Sequence, residues 1–370
     1  MTDTALRERI LSVGLGAGLD RMGICAADPF PGVRETLVER RSNGLSGGLG
    51  FTFSRPDQAA DVRKTYPWAR SLVVGAAAYL PAAGDPGPDG PGAGRVARFA
   101  TEDHYRPLRS ALAEVAGVLH RAGHRAEILV DDSRLVDRAA AVRAGVGWWG
   151  KNGMVLAPSI GPWFLIGSLA IDVELETDRP MIRDCGTCEA CLPACPTGAL
   201  VAPGVLDARR CLAAMLQQKA PIPLEFRRAV GDRIYGCDDC LEACPPGSRL
   251  RVESVAHRGR HDAGRLLLLE DDELLDRFEH FYVPGRDARY VRRNLLVVLG
   301  NTGGDVEVLI RFLADPDPLL RSHAAWALGE VGGSEATAAL GAALGRERDP
   351  AVRAEIEDAL GQSEAAPIGR

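Results

Sequence analysis

Eight of the nine cysteines fall within one short stretch of the chain, at spacings that suit iron rather than disulfides. The run Cys185-x2-Cys188-x2-Cys191-x3-Cys195-Pro196 sets three thiolates at two-residue gaps, so that they wrap one corner of an iron–sulfur cubane. The turn carries the fourth thiolate away to a second cluster. A partner run follows, Cys237-x2-Cys240-x3-Cys244-Pro245, and Cys211 upstream supplies the ligand it lacks. On this crossing pattern the first 4Fe–4S cluster takes Cys185, Cys188, Cys191 and Cys244. The second takes Cys195, Cys211, Cys237 and Cys240, with no thiol of the segment left over. Pairs of C-x2-C also bind structural zinc, which is the competing reading, but the x2-x2-x3-Pro run is specific to the cubane. Cys25 stands apart in a short apolar stretch and reads as a small buried hydrophobe.

Two clusters move electrons one at a time and need a destination. Other chemistry-bearing signals are weaker. Gly14, Gly16 and Gly18 resemble a phosphate loop only in composition, because they lie in a helical stretch with no strand before it. His120 and His124 sit four apart beside the helix-ending Gly123 and read as surface residues rather than metal ligands. There is no Asp-x-His-x-x-Gly, so the residues alone do not name the electron acceptor.

The elements around these residues fall into three parts. Apolar periodicity predicts a helix over Ala5–Leu19 and strands at Arg21–Ala26, Ser71–Tyr79, Ala126–Val130, Met154–Ala157 and Trp163–Val173. Helices are expected at Pro107–Ala122 and Val136–Ala144. Residues 81–94, PAAGDPGPDGPGAG, are too rich in proline and glycine to pack and are expected to form a mobile surface loop. Alternating strands and helices make residues 1–180 an α/β domain. Residues 181–250 hold the cysteines, and residues 251–370 read as helical to the end. There VRRNLLVVLGNTGG, LRSHAAWALGEVGG and VRAEIEDALGQ repeat one pattern, with Arg292, Arg321 and Arg353 in one slot at intervals of 29 and then 32 residues. That period suits stacked HEAT-like helix pairs, which are a scaffold and bring no chemistry. The fold class is therefore multidomain: α/β, a two-cluster insert, and C-terminal helical repeats.

The 370-residue chain is 46% apolar and carries a net charge of −6, which fits a globular protein and advertises no nucleic-acid binding as a whole. Its first residues lack the apolar core of a signal peptide, and no stretch approaches the roughly 18 apolar residues of a membrane span. A cytoplasmic protein with no membrane partner is expected.

At GVGWWGKNGMVL, CGTCEACLPACPTGAL, DARRC and DRIYGCDDCLEACP the chain resembles the epoxyqueuosine reductases, cobalamin-dependent iron–sulfur enzymes of tRNA modification. The resemblance extends from RMGICAADPF to RRNLLVVLGN, over most of the chain. It implies an α/β cobalamin domain, a ferredoxin-like insert with two clusters and a helical-repeat domain. It also implies a reaction: the epoxide of a modified wobble nucleoside is reduced to the cyclopentene, consuming two electrons and two protons. The partners implied are the tRNA anticodon stem-loop and an external donor such as flavodoxin or ferredoxin. The proton donor it implies is an aspartate at a strand end, which VDDSRLVDR places at Asp131, with Asp132 the competing choice if the register slips by one. Without the resemblance Asp131 would read as a helix cap. Gly147, Trp148, Gly150, Lys151 and Asn152 form the loop expected against the corrin, with a tight turn around a packed tryptophan as the structural alternative.

Three stretches depart from the family pattern: Ala213–Gln218, Pro246–Gly247 after the last cysteine, and Asp103–Tyr105 near the expected cofactor. The first two motivate one rival reading, and a second rival comes from another class of protein. One is a corrinoid reductase of a small molecule, in the manner of reductive dehalogenases. The other is a non-catalytic electron carrier. Arg286, Arg289, Arg292, Arg293 and Arg321 crowd the start of the repeats, where they meet either tRNA phosphates or neighbouring acids and helix ends.

Overall fold

A computed structural model describes residues 2–79, 87–247 and 259–365, with side chains to residue 361. The chain forms two compact units, and both are assembled from separated segments. The first comprises Met1–Ala83, Glu102–Cys211 and Asp238–Val255, and the second Gly84–Thr101, Leu212–Cys237 and Ala256–Arg370. The compact units therefore do not follow contiguous divisions at 180 and 250. Long-range strand pairing and helix packing, which sequence periodicity does not report, draw 84–101 and 212–237 towards the C-terminal part.

In the first unit a four-stranded sheet runs in the order Arg21–Ala26, Ser71–Ala78, Phe164–Ile171, Ala126–Val130, and every neighbouring pair is antiparallel. Both of its faces are covered. Leu72, Val74 and Ala76 point into one core with Phe30 and Ala139–Ala141. Val73, between them, points into the other, with Leu108, Leu112, Val115 and Leu119 of the helix Tyr105–Arg121. A strand buried on both sides reads as a continuous apolar run, which is why Ser71–Ala78 was legible. The strands expected at 21–26 and 126–130 occupy those residues, and the helix expected over 5–19 spans Asp3–Gly16. Gly14 and Gly16 fall inside that helix, as expected. The cysteine segment adds the short helices Cys191–Ala194 and Asp239–Glu242, which pack together, and a small hairpin of Leu200–Ala202 with Val205–Leu206.

The second unit has a three-stranded sheet with Ala93–Val96 at its centre, parallel to Arg233–Tyr235 and antiparallel to Arg260–Asp262. This corrects two expectations. The loop predicted over 81–94 lies outside the described residues at 81–86, but Gly92, Ala93 and Gly94 are buried, and the last two begin the central strand. Gly94 is there because of its small size: a Cβ would stand 2.7 Å from the Ile234 side chain. The C-terminal part is likewise not wholly helical, since Arg260–Asp262 is a strand.

The helices Arg289–Thr302, Val306–Phe312, Pro318–Val331, Ser334–Leu344 and Pro350–Ala365 stack over one apolar core. The repeated arginine slot has a structural cause. Arg292 donates to Leu269 O (2.6 Å), Arg321 to Asp315 O (2.8 Å) and Arg353 to Leu344 O (2.8 Å). Each thus satisfies a carbonyl left over near the end of a preceding helix.

Arg293 is fully buried and donates to the carbonyls of Met215 (3.1 Å), Gln218 (2.7 Å) and Ala220 (2.5 Å), while Asn294 holds those of Leu216 and Ile234. Burial lowers its pKa to about 10. Arg293→Met strands these carbonyls without donors, and we expect it to cost roughly 2–4 kcal/mol of stability. Urea unfolding measures this, and an unchanged midpoint refutes it. Among the described residues no helix is long and apolar enough to cross a membrane.

Candidate active site and cysteine segment

The strand Ala126–Val130 leaves the sheet at Val130, and Asp131 is the first residue beyond it, with a left-handed φ of 51°. A non-glycine residue held there carries strain of roughly 1–3 kcal/mol, sustained only when its surroundings fix it. They do so here: Arg109 Nη2 donates to Val130 O (2.7 Å) before the turn, and Val136 N donates to Ala59 O (2.9 Å) after it. The turn brings Asp131, Asp132 and Ser133 to an open pocket of ≈ 550 Å³ that they share with Phe51, Ser54 and Arg55.

The two aspartates are in opposite electrostatic states. Partial burial of the Asp131 carboxyl, helped by the charges of Asp137 and Asp132, raises its pKa above the ordinary value, while Arg109 opposes the rise. The residue nonetheless remains open to solvent at the pocket. Asp132 is held in the ionised form, chiefly by hydrogen bonds from Arg134, whose Nε lies 2.8 Å from Oδ1. Asp131 is therefore the carboxyl suited to give up a proton, and Asp132 is a fixed anion.

Phe51, Ser54 and Arg55 were not anticipated from the sequence. They come from the short helix Phe51–Ser54 and its end, far from Asp131 along the chain, and no motif marks them. The one signal available was an aromatic residue in a polar stretch: Phe51 is half exposed, as a core phenylalanine is not.

None of the nine cysteines, all among the described residues, is in a disulfide. Cys185, Cys188, Cys191 and Cys244 are drawn close enough for their charges to interact. Burial, and then the charges of Cys185, Cys191 and Cys188, push the Cys244 thiol up to about 11, against a hydrogen bond from the Gly247 backbone. Cys191 is raised in the same way, by burial and by Cys185 and Cys188. Thiols whose charges act on one another lie in one neighbourhood, as ligands of one cluster must, although among the described residues no three are placed together as a metal site. Cys195 differs. Burial raises its pKa, but hydrogen bonds from Thr197, Ala199 and Leu200 outweigh that and lower it, with Ala199 N 3.2 Å from Sγ. Cys211 and Cys240 also belong to the first unit, and Cys237 is the last residue of a segment of the second. Cys25 is buried at 1% exposure in the strand Arg21–Ala26, its thiol pushed up to about 12 by burial, as expected of an inert core residue.

The loop Gly147–Asn152 is seated against the first cysteine set. Trp148–Trp149 pairs with Val155–Leu156, and Trp148, Leu156 and Cys244 form one apolar cluster with Cys185 at its margin. Lys151 N donates to Cys185 Sγ (3.4 Å), and Lys151 Nζ meets Glu189 Oε1 (3.3 Å). Gly147 is required by the hairpin itself, since a Cβ would stand 2.3 Å from Leu156 O. Gly150 similarly closes on Asn152 Oδ1 and Met154 O. Of the five residues expected against a corrin, Trp148 Nε1 and Asn152 Nδ2 retain buried donors with no protein partner. A buried donor without a protein partner is a place where a water or a bound group can supply the acceptor.

The arginines at the start of the repeats are engaged within the protein. Arg293 and Arg321 are held as described, and Arg321 also makes a two-point ion pair with Glu347 (2.7 and 3.1 Å). Arg292 pairs with Asp271, Arg289 with Asp287 (2.6 Å) and Asp317 (3.1 Å), and Arg286 with Asp276 (3.7 Å). The reading in which they meet acids and helix ends is the one the contacts follow.

Comparison with known proteins agrees with this organisation. Residues 184–247 match the 4Fe-4S double cluster binding domain, and residues 285–361 match HEAT repeats. The chain is 31% identical to the epoxyqueuosine reductase of Bacillus subtilis, over 96% of its own length and 95% of the relative's. Against the Vibrio cholerae epoxyqueuosine reductase it is 31% identical over 88% and 92%. Among solved structures, it is similar to an epoxyqueuosine reductase with a tRNA-Tyr epoxyqueuosine-modified stem loop. That match has a TM-score of 0.90 and 30% identity, covering 98% of this chain and 100% of that one. A Bacillus subtilis epoxyqueuosine reductase whose aspartate-bearing catalytic loop is swung out of the active site matches with a TM-score of 0.88 and 29% identity, over 98% and 100%.

Proposed function

The chain belongs to the epoxyqueuosine reductases, and from that premise we propose that it reduces epoxyqueuosine at the wobble position of a tRNA to queuosine, with Asp131 as proton donor. The reaction takes two electrons and two protons, breaks the carbon–oxygen bonds of the epoxide, leaves an alkene and releases water. The observation that carries the reading is the conjunction, in one compact unit, of a carboxyl with raised pKa at an open pocket and four mutually repelling thiols.

Each group has a stated part. The epoxide enters the pocket of Phe51, Ser54, Arg55 and the 131–133 turn, where the Phe51 face offers a stacking surface to a splayed nucleoside. Asp131 is protonated more readily than an ordinary aspartate, and it gives its proton to the oxygen as the carbon–oxygen bond opens. Arg109 holds the Val130 carbonyl and so fixes the direction in which the strand delivers Asp131. Cys185, Cys188, Cys191 and Cys244 hold one 4Fe–4S cluster, and Cys195, Cys211, Cys237 and Cys240 the other. With both clusters bound, they would supply one-electron transfer from an external donor of the flavodoxin or ferredoxin type. Cobalamin, when bound, would supply a low-valent cobalt as the reductant of the epoxide. The unspent donors of Trp148 and Asn152 fit acceptors on such a group. The departures at 213–218 and 246–247 do not include any pocket-lining residue, which favours the family's substrate over a small molecule.

The test is anaerobic turnover of an epoxyqueuosine-containing anticodon stem loop by protein loaded with iron, sulfide and cobalamin. Conversion to queuosine, read by nucleoside mass spectrometry, is expected. No conversion by protein that retains its iron and cobalt overturns the assignment, and failure to retain cobalt overturns the cobalamin part.

A further inference from the structure

The ends of the Asp131 turn are tied down by Arg109 and Ala59, which leaves its middle to be accounted for. Asp132 takes a fork of hydrogen bonds from Arg134 (Nε to Oδ1 2.8 Å, Nε to Oδ2 3.1 Å, and Nη2 to Oδ2), and its Oδ1 also accepts from Arg134 N (2.9 Å). These bonds join residues two apart, so they stiffen the turn without attaching it to anything. Leu135 is buried in the apolar core, and the hydrogen-bonded attachment comes from Arg134 Nη1, which donates to the hydroxyl of Tyr66, 68 residues away in the chain.

Tyr66 is itself fixed from several sides. Its N–H donates to Val62 O (2.9 Å), its carbonyl accepts from Ala69 N (2.9 Å), and its ring lies 5.4 Å from that of Trp68. The Arg134 guanidinium also stands over the Tyr66 ring, 5.2 Å from its centre. Glu127, on the strand that delivers Asp131, lies near enough for its charge to act on both the Tyr66 hydroxyl and the Arg134 guanidinium. The arrangement is a continuous path, from Tyr66 through Arg134 to Asp132, ending beside the carboxyl at the pocket.

We infer that Tyr66 is a positioning residue: its hydroxyl, acting through Arg134, latches the middle of the Asp131 turn to the body of the domain and so holds the acid at the pocket. The inference rests on the reading of Asp131 as proton donor. An acid in a left-handed conformation is held there only by its neighbours, and a small displacement of a catalytic group is costly in rate.

Tyr66→Phe removes one oxygen and leaves the ring, the Trp68 contact and the guanidinium stacking in place. In the loaded enzyme we expect the amides of residues 132–135 to exchange hydrogen about 5–10-fold faster, with the strand Ser71–Ala78 unchanged. We expect kcat on the modified stem loop to fall roughly 5–10-fold and KM to stay within about twofold, because the change misplaces the acid without touching substrate. Unchanged exchange at 132–135 overturns the latch. Faster exchange with an unchanged kcat overturns its role in positioning. Hydrogen exchange needs no turnover, so a wrong substrate assignment would show in the wild-type assay and leave the exchange result to decide the latch.

Discussion

Asp131→Asn protein is expected to keep its iron and its melting temperature while losing turnover by about 10²–10⁴-fold, the range a positioned general acid supplies. Asparagine preserves the shape of the turn and tolerates the left-handed conformation, so the loss isolates the proton. The pH dependence follows from the environment. The charges facing Asp131 are Asp137 and Asp132, which raise its pKa with burial, and Arg109, which lowers it. An acid must be protonated to act, so the wild-type rate falls as pH rises through the Asp131 pKa. Because that pKa is raised, the fall comes at higher pH than for an ordinary aspartate. Asp132→Asn should behave differently, because Asp132 is held ionised by Arg134 and has no proton to give. If Asp131→Asn turned over at the wild-type rate while Asp132→Asn did not, the acid would be Asp132.

Cys244→Ala carries the second large effect. On the crossing pattern of ligands, Cys244 completes the cluster of Cys185, Cys188 and Cys191, although it lies far beyond them in the chain. The interaction of all four thiols supports that grouping. Removing Cys244 should cut iron from about eight to about four per chain, leave one cluster's spectroscopic signal, and abolish turnover on the stem loop. Cys25→Ala is the matched control: its thiol is buried in a strand with a pKa of about 12, and iron should not change. A Cys244→Ala protein that still carried eight irons would show that the ligand sets are drawn wrongly. The comparison with Cys25→Ala also separates loss of a ligand from loss of a buried sulfur.

How much of this was legible in the sequence depends on the range of the interaction involved. Cluster ligation, strand alternation and the repeat arginines are short-range. Three thiolates of a cubane must come from one turn of chain, a doubly buried strand must be apolar throughout, and each repeat arginine must reach a helix end nearby. Residue spacing therefore determined the double-cluster segment, the strands Arg21–Ala26 and Ala126–Val130, and the helical repeats.

The rest depended on contacts between distant residues. Gly92–Gly94 looked like loop because local composition does not report that Ile234 packs against Gly94. The glycines and Lys151 of the 147–152 loop read as cofactor contacts, and only the fold shows that Gly147 and Gly150 also close on Leu156 and Met154 while Lys151 N meets Cys185. Adjacent Asp131 and Asp132 were equivalent as letters, and motif register alone separated them. Only the folded turn, with its left-handed φ at one residue and an arginine fork on the next, raises the pKa of one carboxyl and lowers that of the other. Spacing along a chain constrains what neighbours can do together, whereas a pKa, a pocket wall such as Phe51, or a latch such as Tyr66 belongs to groups that only the tertiary structure makes neighbours.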